Sequence, residues 1–365
     1  MSASKIELSK EDYEKLLNEQ SNIFISTMID IYGERASKIM PSTILKNYET
    51  KYNIFQPASS NPQIYNDITR DFYNSVRDVF ECIELSPINP FALNSVLTET
   101  NQNNVLSALR NAEVVSDSSI AMALECAYRI KKGEKSNINL ASSTRLLRMQ
   151  NYGNGKKSHW SQHFRACSLV SSFRNVNENM YSTIILQISS WLKIIKELNL
   201  DINSIDVNVC YLPLVKEIYS FFDIDESVLL NNSVNPDFDI FKVYNVGIED
   251  KIGNMEQIDK IQYKKDYLLS IKNAYKFLNN KILGKLKEEN PQINFYLHLN
   301  RKSGLNYYDN ICYEVVVHFS NGKDLVLVDG GVTNWTGQLL SDSKEKCVTS
   351  GMGLEYISKV YKKKL

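Results

Sequence analysis

Charge of one sign, paired metal ligands and long apolar runs are scarce in this sequence. Its 42 Lys and Arg are matched by 42 Asp and Glu, for a formal net charge of +0 and an isoelectric point near 6.9. Binding a nucleic acid by counterion release needs a concentrated cationic surface, so the composition speaks against a polyanion partner such as tRNA. Only four histidines occur (His159, His163, His298, His318), and the one i,i+4 pair among them has no Glu or Cys ligand nearby. Neither a metal nor any other cofactor is expected. The six cysteines form no CxxC pair and mostly sit in apolar segments, where a free thiol packs as a small hydrophobe. Apolar runs such as Tyr181 to Leu192 are cut by Ser and Gln well short of the roughly 20 residues of a membrane span. Internal repeats and low-complexity tracts are absent too. The opening segment, MSASKIELSKEDYEKLLNEQ, lacks the apolar centre of a secretory signal. The expectation is a cytoplasmic protein with no membrane partner.

What is present is a chain of 365 residues, 43% apolar, enough for one large core and a smaller lobe. Residues 8–32 and 62–81 carry apolar side chains at helical spacing, for example Ile64, Ile68, Phe72, Val76 and Val79. From Cys82 the period changes to a short apolar strand, stopped by Pro87 and Pro90 because proline removes a ladder donor. A polar SDSS turn then caps the helix IAMALECAYRI. Strand candidates at Thr144–Gln150 and Cys167–Phe173 flank a Gly-, Asn- and Lys-rich loop, and read together as a hairpin with a long polar tip. Residues 177–290 differ in character: a stripe from Ile184 to Leu198, an alternating strand at Ile205–Cys210, and amphipathic helices at Leu214–Phe222 and Lys264–Lys287. From residue 292 the chain is rich in Val, Ile, Tyr and Phe, with SNGKD as a hairpin turn, and it ends in a glycine turn into a last helix.

That order of units resembles the catalytic core of class II aminoacyl-tRNA synthetases, and within them the histidyl-tRNA synthetase branch. Four stretches carry the resemblance: Phe72–Leu97, with Pro87, is similar to the dimer-forming first motif; Leu146–Gln162 to the second; SGLNYYDNICYE (Ser303–Glu314) to the histidine box; and GMGLEYI (Gly351–Ile357) to the third motif. The resemblance spans roughly residues 65–360. It implies an α+β fold, a mixed and mostly antiparallel sheet flanked by helices. The implied division is a helical N-terminal extension (1–61), a first part of the core (62–176), a helix-rich insertion (177–290) and a second part of the core (291–365).

The departures bear on activity. A class II site holds ATP bent between two arginines, which neutralise charge developing at the α-phosphate. Arg148 stands where the second-motif arginine belongs, but Gln150 replaces its carboxylate partner; Tyr356 replaces the third-motif arginine; and Ser303 takes the arginine position before the glycine of the histidine box, with Arg301 two residues earlier. If each lost contact costs about 2–4 kcal/mol, the sum is on the order of 6 kcal/mol, a rate factor of about ten thousand. The four positions Arg148, Gln150, Arg301 and Tyr356 are thus expected to be a vestigial ATP site with no catalytic residue.

The amino-acid end keeps more of its chemistry. By the resemblance, Asp117 and Ser119 would hold an α-amino group, Gln162 would follow the hairpin loop as in the family, and Tyr307 and Tyr308 would be the paired tyrosines of the box. An ammonium needs a carboxylate and neutral acceptors, and these residue types supply both. Ala166 stands where the family points a carboxylate at the imidazole, so histidine is a first candidate without its usual partner. Each residue also has a plainer account: Asp117 and Ser119 as an N-cap, Tyr307 and Tyr308 as sheet aromatics, Lys156 and Lys157 as a solvated loop. The chain stops shortly after Ile357, where the family continues into an anticodon-binding domain. The branch includes the regulatory subunit of ATP phosphoribosyltransferase, the first enzyme of histidine biosynthesis. The implied function is therefore a silent paralogue that forms a homodimer and assembles with a catalytic phosphoribosyltransferase subunit. Two alternatives stay open: an enzyme that activates a different amino acid for a carrier protein or peptide, and a pseudo-synthetase scaffold or sensor with another partner.

Overall fold

The structure is a computed structural model and describes residues 8–361 except 51–53, 59, 99, 136, 151–161, 175–176, 226, 229–237, 262–264, 302–303 and 306. Strands β1 (Glu81–Cys82), β5 (Asn139–Leu147), β6 (His163–Arg174), β12 (Glu345–Gly353), β11 (Asp324–Thr333), β10 (Ile311–Phe319), β7 (Ile202–Tyr211), β9 (Asn294–His298) and β8 (Lys251–Ile252) lie side by side in that order in a nine-stranded sheet. Among the described residues, only β1–β5 and β7–β9 pair in parallel. The fold is α+β with a mixed, mostly antiparallel sheet, as its composition of segments implies. A second sheet holds β2 (Ile88–Pro90), β3 (Ser107–Ala108) and β4 (Ala112–Val114) in the order β2-β4-β3. Pro90 is tolerated there because β2 is an edge strand; the apolar pattern around the two prolines does not reveal this sheet.

Helix α4 (Pro62–Val76) starts with Asn61 accepting the Gln63 N–H and with Pro62 in its first turn, where a missing donor is harmless. With the helix α7 (Asn177–Glu197) it covers the sheet face that carries Cys167, Leu169 and Phe173 of β6. Phe72 and Trp191 stack at a centroid distance of 6.0 Å, and Trp191 Nε1 donates to Ser350 Oγ at 2.7 Å. The buried indole thus has both an apolar seat and its required acceptor. The opposite face, carrying Val170 of β6, is covered by α6 (Ser118–Lys131) and the helix Trp335–Leu340.

Segment 177–290, expected as a helix-rich insertion, contains β7, which is hydrogen-bonded on both sides within the main sheet. Strand β5 starts earlier than its apolar letters indicate, because its buried stretch reads Ser142, Ser143, Thr144. Their hydroxyls find partners inside the protein: Ser143 with Thr69 at 3.1 Å, and Ser142 with Thr144 at 2.9 Å. A satisfied hydroxyl is compatible with a buried strand but erases its hydrophobic signature. The hairpin tip, with Lys156 and Lys157, lies outside the described residues. Five cysteines are buried and Cys82 is exposed. The N-terminal helices α1 (Lys10–Asn18), α2 (Ser21–Ser37) and α3 (Pro41–Thr50) bury no described residue. Among the described residues no helix is long and apolar enough to cross a membrane, and no His, Cys, Asp and Glu group could hold a metal.

Candidate functional site

A cavity of about 690 Å³ opens on the sheet face that carries Val170, beside the start of α6. Its floor follows strand alternation on β6 (Phe164, Ala166, Ser168) and β12 (Gly351, Gly353); on β11, Asp329 shares that face and, past the register shift opposite Val315 and Val316, Leu325, Val326 and Leu327 all line the cavity. Successive side chains alternate faces, so residues two apart share the floor. The small residues Ala166, Ser168, Gly351 and Gly353 are what leave room above it.

The rim is polar. At the N-terminus of α6, Asp117 Oδ1 accepts the Ser119 N–H at 2.8 Å, and its Oδ2 accepts the Tyr307 hydroxyl at 3.2 Å. Asp117 is thus an N-cap and a cavity carboxylate at once, one oxygen for each role. Arg148, which follows β5, donates through Nε to the Ser116 carbonyl at 3.0 Å and lies over the Phe164 ring, with its guanidinium 3.8 Å from Asp117. The loop before β10 turns at Gly304, whose φ of +72° is the left-handed region that favours glycine. Tyr307 and Tyr308 follow in an edge-to-face pair 4.9 Å apart. Tyr308 donates to Asp329 at 2.9 Å. Burial, then the adjacent carboxylates Asp117 and Asp329, pushes both phenols well above their usual range. Burial also raises Asp329 and Glu355 above ordinary carboxylates.

Gly331 lets Tyr308 sit where it does. A Cβ there would lie 2.6 Å from Tyr308 Cδ1 and 2.7 Å from Cys312 Cβ, closer than packed atoms approach. Glu355, at the start of the last helix (Leu354–Val360), accepts the Tyr65 hydroxyl at 2.8 Å and the Arg165 N–H at 3.0 Å. Beside it Tyr356 faces the cavity with Lys323 Nζ 3.9 Å above its ring.

By sequence, no family model and no curated protein matches the chain. Solved structures do match. The chain aligns with an ATP phosphoribosyltransferase regulatory subunit/histidyl-tRNA synthetase from Bacillus halodurans at a TM-score of 0.55 and 12% identity, covering 86% of this chain and 84% of that one. A histidine–tRNA ligase subunit from Alicyclobacillus acidocaldarius gives 0.59 at 11% identity, covering 84% and 96%. Histidyl-tRNA synthetase from Nostoc sp. PCC 7120 gives 0.58 at 17% identity, covering 84% and 75%. The chain has the class II synthetase fold.

Of the residues singled out in the sequence, Asp117, Ser119, Arg148, Tyr307, Tyr308 and Tyr356 line this one cavity of the class II fold. Gln162, Gln150 and Arg301 are not among its lining residues. The Gln162 side chain donates to the Gln150 carbonyl at 3.4 Å at the base of the β5–β6 hairpin. Arg301 is 1% exposed and bonds Asp329 at 2.8 and 3.0 Å and Glu314 at 3.2 Å. Ser303 lies outside the described residues. Residues missed in the sequence are Asp329, Lys323 and Glu355. Asp329 had a signal, as the charge that interrupts the apolar run LVLVDGG, and the Gly351–Gly353 alternation marked the floor.

Proposed function

We propose that the protein is a catalytically silent paralogue of histidyl-tRNA synthetase that binds an amino acid in this cavity and serves as a regulatory subunit of ATP phosphoribosyltransferase. The observation that carries the reading is the contrast between the two ends of the cavity. At one end Asp117 and Tyr307 form a hydrogen-bonded carboxylate and hydroxyl suited to an α-ammonium. At the other, Tyr356 occupies the rim and Arg301 is committed to Asp329 and Glu314. Arg148 alone remains of the expected phosphate ligands, and it leans on Ser116 and Phe164. The Bacillus halodurans neighbour, whose name includes a regulatory subunit, supports the same reading. Binding an end product in one subunit and transmitting it through an interface would be an allosteric coupling.

A second reading, activation of a different amino acid with ATP, is favoured by Lys323: its ammonium on the Tyr356 ring keeps a cation at the end where an arginine is missing. Pyrophosphate exchange with ATP across the twenty amino acids separates the two. Silence throughout, with co-purification of a phosphoribosyltransferase catalytic subunit, is expected; exchange at a synthetase-like rate would overturn the silent-paralogue reading.

A further inference from the structure

The adjacent Tyr307 and Tyr308 hydroxyls point to different carboxylates, Asp117 and Asp329, at 3.2 and 2.9 Å. Asp329 is peculiar for a salt-bridged residue. Its partner Arg301 has 1% of its side chain exposed, yet Asp329 keeps 44%, and it lines the cavity. Behind it Arg301 also pairs with Glu314, which stands opposite Asp329 in the β10–β11 register. Two carboxylates thus share one guanidinium in that part of the wall, with His298 3.9 Å from Glu314. On the other side, Asp329 is in register with Gly351, and Gly351 with Ser168. The floor beside the carboxylate is therefore open, and Leu325, Val326 and Leu327 give β11 an apolar lining further along the cavity.

We infer that Asp329 is a second carboxylate station of this cavity, which reads a hydrogen-bond donor at the end of an amino acid's side chain and selects ligands with a basic side chain, an alkylammonium or an imidazole. The inference rests on the amino-acid reading above and narrows it. The ligand's α-ammonium takes Asp117 and Tyr307, its apolar stem lies along the apolar lining of β11, and its distal N–H group meets Asp329. An aliphatic side chain leaves a half-desolvated carboxylate without the donor it would have in water, and an acidic one meets like charge. Discrimination of about ten- to a hundredfold is expected, the range for a hydrogen bond to a charged group.

The test is calorimetric titration of the full chain with L-lysine, L-histidine, L-norleucine and L-glutamate. Lysine or histidine should bind at least about tenfold tighter than norleucine, which has lysine's stem without its ammonium, and glutamate should bind worst. Asp329→Asn should close the gap between lysine and norleucine while leaving norleucine binding in place. Should that variant fail to fold, Asp329→Glu keeps the charge and advances it by one methylene, and it should shift preference from lysine toward the shorter L-ornithine. Asp117→Asn should abolish binding of all four. Equal affinity for norleucine and both basic amino acids, a gap that survives Asp329→Asn, or an Asp329→Glu protein with an unshifted preference would overturn this inference and leave the amino-acid site standing. Absence of binding by every ligand would overturn the amino-acid reading itself, and this inference with it.

Discussion

Replacing Arg301 with methionine tests whether the guanidinium is part of the scaffold. The side chain is 1% exposed, with Asp329 at 2.8 and 3.0 Å and Glu314 at 3.2 Å, while its carbonyl accepts the Tyr219 hydroxyl at 2.6 Å. Methionine keeps most of the apolar stem and removes the charge, which leaves two carboxylates side by side without a cation. Breaking a buried pair from one side costs about 3–5 kcal/mol, a large fraction of a typical domain's stability. The loss has a pH signature. Burial already raises the Asp329 pKa and Arg301 counteracts it, so without Arg301 it rises further; the variant's stability is greatest below the ordinary carboxylate range and falls as pH rises through the raised value. Urea unfolding at pH 5 and pH 7, followed by tryptophan fluorescence, should therefore find Arg301→Met closer to the parent at pH 5. Adding Asp329→Asn should recover part of the loss, since one unpaired charge goes with it. A variant within 1 kcal/mol of the parent at both pH values would refute the argument and return Arg301 to the pool of ligand-binding groups.

Asp117→Asn should abolish an amino-acid-induced thermal shift but melt unliganded within a degree or two of the parent, because Asn and Asp are near equals as N-caps; Asp117→Ala should also lose about 1 kcal/mol of stability from the Ser119 cap bond. His318 lies between Asp324 at 2.8 Å and Asp206 at 3.2 Å, and the Asp324 hydrogen bond raises its pKa above the usual histidine value. Its contribution is thus full below the ordinary histidine range and lost as pH rises through the raised value, so His318→Asn should flatten that stretch of the stability–pH curve measured by urea titration. Gly331→Ala should cost about 1–3 kcal/mol through overpacking against Tyr308 and the Cys312 backbone, read as a lowered urea midpoint. Ile88, Phe91, Val96 and Leu106 are exposed apolar residues on and around the small sheet; light scattering should find a mass above the 41.9 kDa of one chain, and Val96→Asp should lower it, whereas a monomer throughout would sink the dimer reading.

Periodicity and local chemistry alone determined a good deal of this protein. The α4 stripe, the SDSS cap on α6, the hairpin turn SNGKD and the apolar strands after residue 292 each depend on neighbours within a few residues, and each was legible. The order of these units carried the class II resemblance. Strand β5 begins before its apolar letters because buried Ser142, Ser143 and Thr144 look polar, although Ser142 and Thr144 satisfy each other and Ser143 finds Thr69 on α4. The place of β7 between β10 and β9 depends on pairings between segments about a hundred residues apart. In the sequence Arg301 is a cation two residues from an expected position. Only tertiary structure brings Asp329 and Glu314 to it, turning a phosphate-ligand candidate into a buried ion-pair centre. Asp117 shows the same limit: its cap bond is local and readable, whereas its bond to Tyr307 joins residues 190 apart in sequence. Helices, turns and strand alternation are set by short-range sterics and hydrogen bonding, but a site is set by which distant side chains share a desolvated volume, and that follows from the packing of the whole sheet.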